Sequence, residues 1–282
     1  IPVLKGILLE VSDDNKLKMS ASDLDITIEE TIEIEDGISG RIVVQSKLFG
    51  DIIRKLPNAD VTVELIDENV TIKCMNSEFT IVGISPDEFP NIKNTEDDQE
   101  FISLDKNTLR EMIRKTSFAA SADESKGVIT GILIELQKDG INMIAIDGYR
   151  MAITREAMVN MEEKNVVISA KIMNEINKIL SEVSEEENEV KLILSEKKAF
   201  FLIGSVKVVL RLLDGEFIKY KDVLPKSSSI KIKVRKGDLM ESIERASLLS
   251  KEGKNNLIRL SIMDGIMIIT SKSEEGNVKE EV

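Results

Sequence analysis

The sequence predicts an α+β fold made of three repeated domains, each of antiparallel sheets with two short helices. Three observations carry that prediction. Segments recur in the same order at a spacing of about 125 to 130 residues, as Gly6 to Gly131 and Asp105 to Arg235 show. In some segments apolar residues return at i, i+3, i+4 and i+7, the spacing of one helix face. In others they alternate or run as β-branched stretches between turn residues, as strands do.

The repeat rests on four pairs of segments. Lys106, Leu109, Glu111 and Ile113 recur in register as Lys236, Leu239, Glu241 and Ile243, and Ser117 then matches Ser247. Gly6 to Val11 matches Gly131 to Leu136, with Leu257 to Ile262 a weaker third copy. Lys47 to Ile52 aligns with Lys171 to Ile176, and Asp87 to Pro90 with Gly215 to Ile218. The domains are therefore expected at residues 1–98, 99–228 and 229–282, with polar boundaries at Lys93 to Asp98 and Lys226 to Ser229. Copy one is expected to lack its opening helix and copy three its second half.

Along the chain, strands are expected over 16–20, 26–34, 41–44, 61–66, 70–75 and 79–82. Hairpin turns fall at Asp13 to Asn15, Asp67 to Asn69, Lys138 to Gly140, and Asp264 and Gly265. Leu48, Ile52 and Leu56 make the stripe of a short helix over 47–56, and its counterpart covers 171–180. Leu109, Met112, Ile113 and Thr116 define a helix over 106–118, matched by Leu239, Ser242, Ile243 and Ala246 over 235–245.

Composition excludes several function classes. The chain has no histidine, which removes His-dependent triads and the commonest metal ligand. Its one cysteine, Cys74, lies in an alternating strand and reads as a buried side chain in a reducing compartment. No apolar run is long enough to suggest a membrane span. The formal charge of −13 argues against a polyanionic partner, but the charge is segregated. Lys106, Arg110, Arg114 and Lys115 stand against Glu111 in one helix, Lys47, Arg54 and Lys55 against Asp51 in another, and Lys171 and Lys178 against Glu175 in a third. The acid therefore sits mainly on strands, turns and linkers. Each helix alone could be an ordinary solvated face; the recurrence across copies suggests a shared basic surface.

No Gly-rich phosphate loop, dinucleotide fingerprint or nucleophile elbow is present, so an enzyme is not expected. Asp23 and Asp25 would share a strand face and could hold a divalent metal. The equivalent Asp147, Gly148 and Tyr149 keep one acid only, which favours a structural turn. The acidic runs Thr95 to Glu100 and Ser184 to Glu189 lack calcium-loop spacing. Asp147 to Met151 combines a bend, a ring, a guanidinium and a thioether; it suits either an adaptable binding surface or a plain turn into a strand.

Taken together, several stretches resemble the bacterial β sliding clamp, the processivity subunit of DNA polymerase III. They are Ile1 to Leu4, Gln45 to Lys47 through Arg54 to Pro57, Asp87 to Asn91, Thr130 to Leu133, Asp147 to Met151, and Leu213 to Gly215 through Leu224 and Pro225. The resemblance runs along essentially the whole chain. It implies a head-to-tail homodimer in which each chain forms half of a ring around duplex DNA, with helices lining the hole. Weak, sequence-independent phosphate contacts would let such a ring slide while enclosure retains it.

The resemblance further implies DNA contacts at Lys47, Arg54, Lys126 and Lys171, to which the helix reading adds Lys106 and Arg110. It implies a partner-peptide pocket at Ile129, Ile146, Gly148, Tyr149, Arg150 and Met151, joined by Ile218, Asp222 and Val223. Ile218 and Asp222 depart from a common form of that pattern, where Pro and Arg stand. A dimer edge would pair Phe79 and Ile81 with Leu248 and Leu249 of a second copy. Implied partners are duplex DNA, the clamp loader, the replicative polymerase and repair proteins, the last three through a short peptide motif; no cofactor, metal or membrane is implied. The expected location is the bacterial cytoplasm, at the nucleoid. Two other classes compete: a repeat-built protein-interaction scaffold without DNA, for which the net charge speaks, and a metal-dependent nuclease using Asp23 and Asp25.

Overall fold

The computed structural model describes residues 2–90, 100–159, 162–253 and 256–282. Its chain divides into two compact units, Ile1–Ile218 and Lys219–Val282. The expected boundary at Lys93 to Asp98, with most of the acidic run Thr95 to Glu100, lies outside the described residues.

Copy one holds β1 (Gly6–Ser12), β2 (Lys16–Ser22), β3 (Ile26–Glu33), β4 (Gly40–Gln45), α1 (Ser46–Lys55), β5 (Thr62–Ile66), β6 (Asn69–Cys74) and β7 (Ser77–Val82). Copy two follows the same plan: β8 (Ile102–Asp105), α2 (Lys106–Thr116), β9 (Gly131–Gln137), β10 (Gly140–Ile146), β11 (Met151–Ala157), β12 (Lys164–Ser169), α3 (Ala170–Glu182), β13 (Glu189–Leu194), β14 (Lys198–Ile203) and β15 (Val206–Arg211). The second unit carries α4 (Tyr220–Val223), α5 (Lys236–Ser250), β16 (Arg259–Met263), β17 (Ile266–Lys272) and β18 (Asn277–Glu281).

All the pairings are antiparallel. Order β4-β1-β2-β3 in copy one is mirrored by β12-β9-β10-β11 in copy two, and β5-β6-β7 by β13-β14-β15. The two copies are joined by a ladder: β3 pairs with β15, from Glu30 opposite Val206 to Ile26 opposite Leu210. The result is one eight-stranded sheet, β4-β1-β2-β3-β15-β14-β13-β8, that runs across the copy boundary.

Packing explains the strongest repeat match. A Cβ on Gly6 would stand 2.3 Å from Val43 Cγ1 and 2.8 Å from Val44 O, and one on Gly131 would stand 2.6 Å from Val167 Cγ1 and 2.9 Å from Ile168 O. Each glycine therefore opens a strand where the neighbouring strand leaves no room for a side chain. The largest core lies in copy two, where Leu109, Met112 and Ile113 of α2 and Met173, Ile176 and Leu180 of α3 bury against Ile132, Ile134, Ile141 and Met143. Phe49 and Ile52 of α1 cover Val70 and Ile72 in copy one. Cys74 is buried in β6, as its alternating context predicts.

The expected turns form, with Asn15 and Asp67 in the left-handed region at φ 56° and 55°. Three elements escape the sequence patterns. The helix expected over 106–118 ends at Thr116, whose hydroxyl donates back to Met112 O at 2.7 Å; a 3-10 turn, Ser117–Ala119, replaces its last residues. The short β8 and the 3-10 segment Glu124–Thr130 have no usable periodicity.

Candidate functional site

The basic positions differ in what the fold leaves available. Lys47 and Lys171 are the second residues of α1 and α3, exposed, and without an ion pair among the described residues. Neither helix has a side-chain cap or an acid in its first turn. Unpaired N–H groups and the positive end of the helix dipole therefore sit beside each lysine, an arrangement that costs helix stability and attracts anions. Arg54 is exposed and paired with Asp51. Lys126 is exposed in the 3-10 segment Glu124–Thr130, which Asp123 caps by accepting from Ser125 N at 3.1 Å. Arg110 is half-buried, with its Nε enclosed.

Lys106 is a correction. It is 4% exposed, and its ammonium donates to Ser184 O at 2.7 Å and Val183 O at 3.3 Å. These carbonyls follow the C-terminus of α3, so Lys106 ties the start of one helix to the end of the other and offers no charge to an outside phosphate. Asp105 caps α2 instead, accepting from Thr108 N at 2.7 Å, and that bond holds its carboxyl below the usual aspartate range.

The segment 147–150 is a tight turn between β10 and β11. Asp147 Oδ1 accepts from Tyr149 N at 2.9 Å and Arg150 N at 3.0 Å, which depresses its pKa. Asp147 Oδ2 takes Arg150 Nε at 3.0 Å. Gly148 has φ 95°, a conformation that an L side chain strains to adopt. Ile146 and Met151 are register partners at the turn's base; Tyr149 is 95% exposed at its tip. The Arg150 guanidinium lies 5.7 Å from the ring of Phe118, a cation–π contact absent from the sequence-based site. Phe118 is exposed and sits in the 3-10 turn that replaces the end of the expected helix, so helix periodicity gave no signal for it. Ile129 is half-buried before β9; Ile218 ends the first unit, while Asp222 and Val223, both exposed, belong to the second.

Copy one repeats this turn without the exposed ring and guanidinium. Asp23 Oδ1 accepts from Asp25 N at 3.1 Å and Ile26 N at 2.9 Å, and Leu24 takes the left-handed position at φ 81°. The Asp23 carboxylate is thus engaged in the turn, and no metal-ligating cluster of three or more acids or cysteines gathers among the described residues. Of the four residues expected at a dimer edge, Phe79 and Leu248 are exposed and Leu249 is half-buried. Ile81 belongs to the copy-one core at 9% exposure, a correction to its expected place at the edge surface. No helix among the described residues is long and apolar enough to cross a membrane.

Repeated sheet-and-helix copies that share a continuous sheet define the architecture of DNA polymerase sliding clamps. The family model for the N-terminal domain of the DNA polymerase III beta subunit matches residues 1–93, that for the central domain 103–219, and that for the C-terminal domain 221–282. The Beta sliding clamp of Staphylococcus aureus is 33% identical over 293 residues, covering 100% of this chain and 76% of the relative. The crystal structures of the DNA polymerase III beta subunit from Eubacterium rectale and the sliding clamp from Bacillus subtilis superpose with TM-scores of 0.93 and 0.92; each is 32% identical over 100% of this chain and 76% of the other. The chain belongs to the bacterial DNA polymerase III beta subunit family. It is a DNA sliding clamp, without catalytic activity of its own, that works with DNA and the replication machinery. Neither the nuclease reading nor the scaffold without DNA fits that family.

Proposed function

We propose that two copies of the chain, each contributing domains bounded near residues 98 and 228, close into a ring around duplex DNA. The contacts to phosphate come from Lys47, Arg54, Lys126 and Lys171, with Arg110 at the edge of the basic face. The observation that carries this reading is the equivalent placement of Lys47 and Lys171 in the uncapped first turns of α1 and α3. Two separated anion sites of one kind suit a repeating phosphate backbone and read no base sequence.

The within-chain junction suggests how the ring closes. β3 ends one copy's sheet and β15 begins the next. By the repeat, β18 corresponds to β3 and β7 to β15, and each lies at an open edge of its three-stranded sheet. Pairing of β18 from one copy with β7 of a second would reproduce the same ladder, with Phe79 facing Leu248 and Leu249. Clamp loader, replicative polymerase and repair proteins would dock a short peptide motif on Ile129, Ile146, Gly148, Tyr149, Arg150 and Met151 of the first unit. The site would act in the bacterial cytoplasm, at the nucleoid.

The test is retention on DNA. Protein loaded on closed circular duplex should stay bound through gel filtration and be lost when the circle is linearised, and Lys47→Glu with Lys171→Glu should weaken its direct binding to duplex. Equal retention on linear and circular DNA, or full binding by the double variant, would overturn the reading.

A further inference from the structure

The longer helices, though rich in bases, each set an acid against a base that follows it, and these pairs recur at equivalent positions. In α1 Asp51 accepts from Arg54; in α3 the aligned Glu175 takes Lys178 Nζ at 2.8 Å. In α2 Glu111 takes Arg114 at 2.8 Å and Lys115 at 3.2 Å; in α5 the aligned Glu241 lies 3.9 Å from Arg245, whose closer partner is Glu280 of β18 at 2.6 Å. The chemistry is kept while the residues change: Asp with Arg becomes Glu with Lys, and Glu with Lys becomes Glu with Arg.

Such exposed pairs add little to the stability of a helix. Tertiary packing of Phe49 and Ile52, of Leu109, Met112 and Ile113, and of Met173 and Ile176 already fixes these helices. Their larger effect is on an approaching polyanion. Binding to DNA draws on counterions released from phosphates, and a base already neutralised by a carboxylate must lose that partner before it replaces one. Glu111 illustrates the grip: Arg114 first, then Lys115, hold its pKa at about 2. Lys47 and Lys171, by contrast, have no such partner among the described residues.

We propose that Asp51, Glu111 and Glu175 are fixed counter-ions that hold the helices' affinity for duplex DNA low, so that the duplex is retained by enclosure and not pinned by contact. This rests on the DNA reading above. Asp51 engages Arg54, Glu175 engages Lys178 and Glu111 is shared by Arg114 and Lys115, while Lys47 and Lys171 supply the residual attraction.

The experiment compares two variants of the whole chain with equal charge change. One carries Asp51→Asn, Glu111→Gln and Glu175→Gln. The other carries Asp14→Asn, Glu64→Gln and Asp139→Asn, which break ion pairs to Lys16, Lys73 and Arg155 on strands and turns. Affinity for a fluorescent duplex is measured by anisotropy across a salt series, with melting curves confirming folding. The helix variant is expected to bind tighter and to steepen the plot of log K against log salt by about 0.9 for each base released. The control should keep the parent slope. An unchanged helix variant, or a control that matches it, overturns the proposal. Failure of the DNA reading itself would show separately, as undiminished binding by the parent carrying Lys47→Glu and Lys171→Glu.

Discussion

Glu29 of β3 and Lys207 of β15 are register partners, 3.8 Å apart and both largely buried, on the strand pair that joins copy one to copy two. Ser20 donates to Glu29 Oε1 at 3.4 Å, and the Lys207 ammonium lies 6.0 Å from the Phe200 ring. Burial is the largest influence on Lys207 and lowers its pKa, with Glu29 opposing. Removing the cation alone should therefore cost more than removing both charges. Lys207→Met is expected to lose about 1–3 kcal/mol, and the double variant with Glu29→Gln clearly less. Urea unfolding of the full mutant cycle measures this; additive losses would show that the two residues do not act as a pair.

Lys106 and Lys171, one buried and one exposed, should separate stability from DNA binding. Lys106→Met takes the ammonium from Val183 O and leaves Ser184 O with the Glu187 N–H alone, and is expected to cost about 1–3 kcal/mol, with the salt dependence of DNA binding unchanged. Lys171→Met should leave the melting temperature in place and flatten the salt slope by about 0.9. Denaturation and anisotropy on the same two proteins test both expectations, and a reversed pattern would contradict the assignment.

Acid should release the turn at Asp147 later than an ordinary aspartate would suggest. Its folded pKa is depressed by the Tyr149 and Arg150 amides, so its contribution is fully present above the unfolded value of about 3.9 and is lost only as pH falls through the lower folded value. A carboxyl carbon titration by NMR should place the Asp147 midpoint below that of a free aspartate. A midpoint at or above the free value would mean the turn bonds do not persist in solution.

Phe118 should matter to peptide binding through Arg150. Phe118→Leu keeps apolar bulk and removes the ring face under the guanidinium, a contact of about 0.5–1 kcal/mol at an exposed site. Calorimetry with a short clamp-binding peptide is expected to show roughly two- to five-fold weaker binding. The effect should vanish when Arg150 is already alanine. Persistence of the loss in that background would assign Phe118 a direct contact instead.

The fold was legible where side-chain periodicity is strong. Leu109, Met112 and Ile113 disclosed α2, and the alternation around Cys74 disclosed β6, because burial on one face writes itself into spacing. β8 stayed hidden because four residues at a sheet edge carry too little pattern, and the ladder from β3 to β15 because pairing at long sequence separation leaves none. The site was legible in residue types and only partly in availability. A lysine at a helix start looks the same in sequence whether solvated, as Lys171 is, or folded onto a neighbouring helix end, as Lys106 is. The pairing of Arg150 with Phe118 was out of reach for the same reason: it joins a turn to another part of the chain.

The ladder between β3 and β15 also bears on how the protein is made. Glu30 waits for Val206, so during synthesis the open edge of β3 has no partner until most of copy two has left the ribosome. At roughly 5–20 residues per second that interval is on the order of ten to thirty seconds. A growing chain thus presents an unpaired strand edge to its neighbours, and the yield of native clamp in a crowded cell depends on what shields that edge before its own partner arrives.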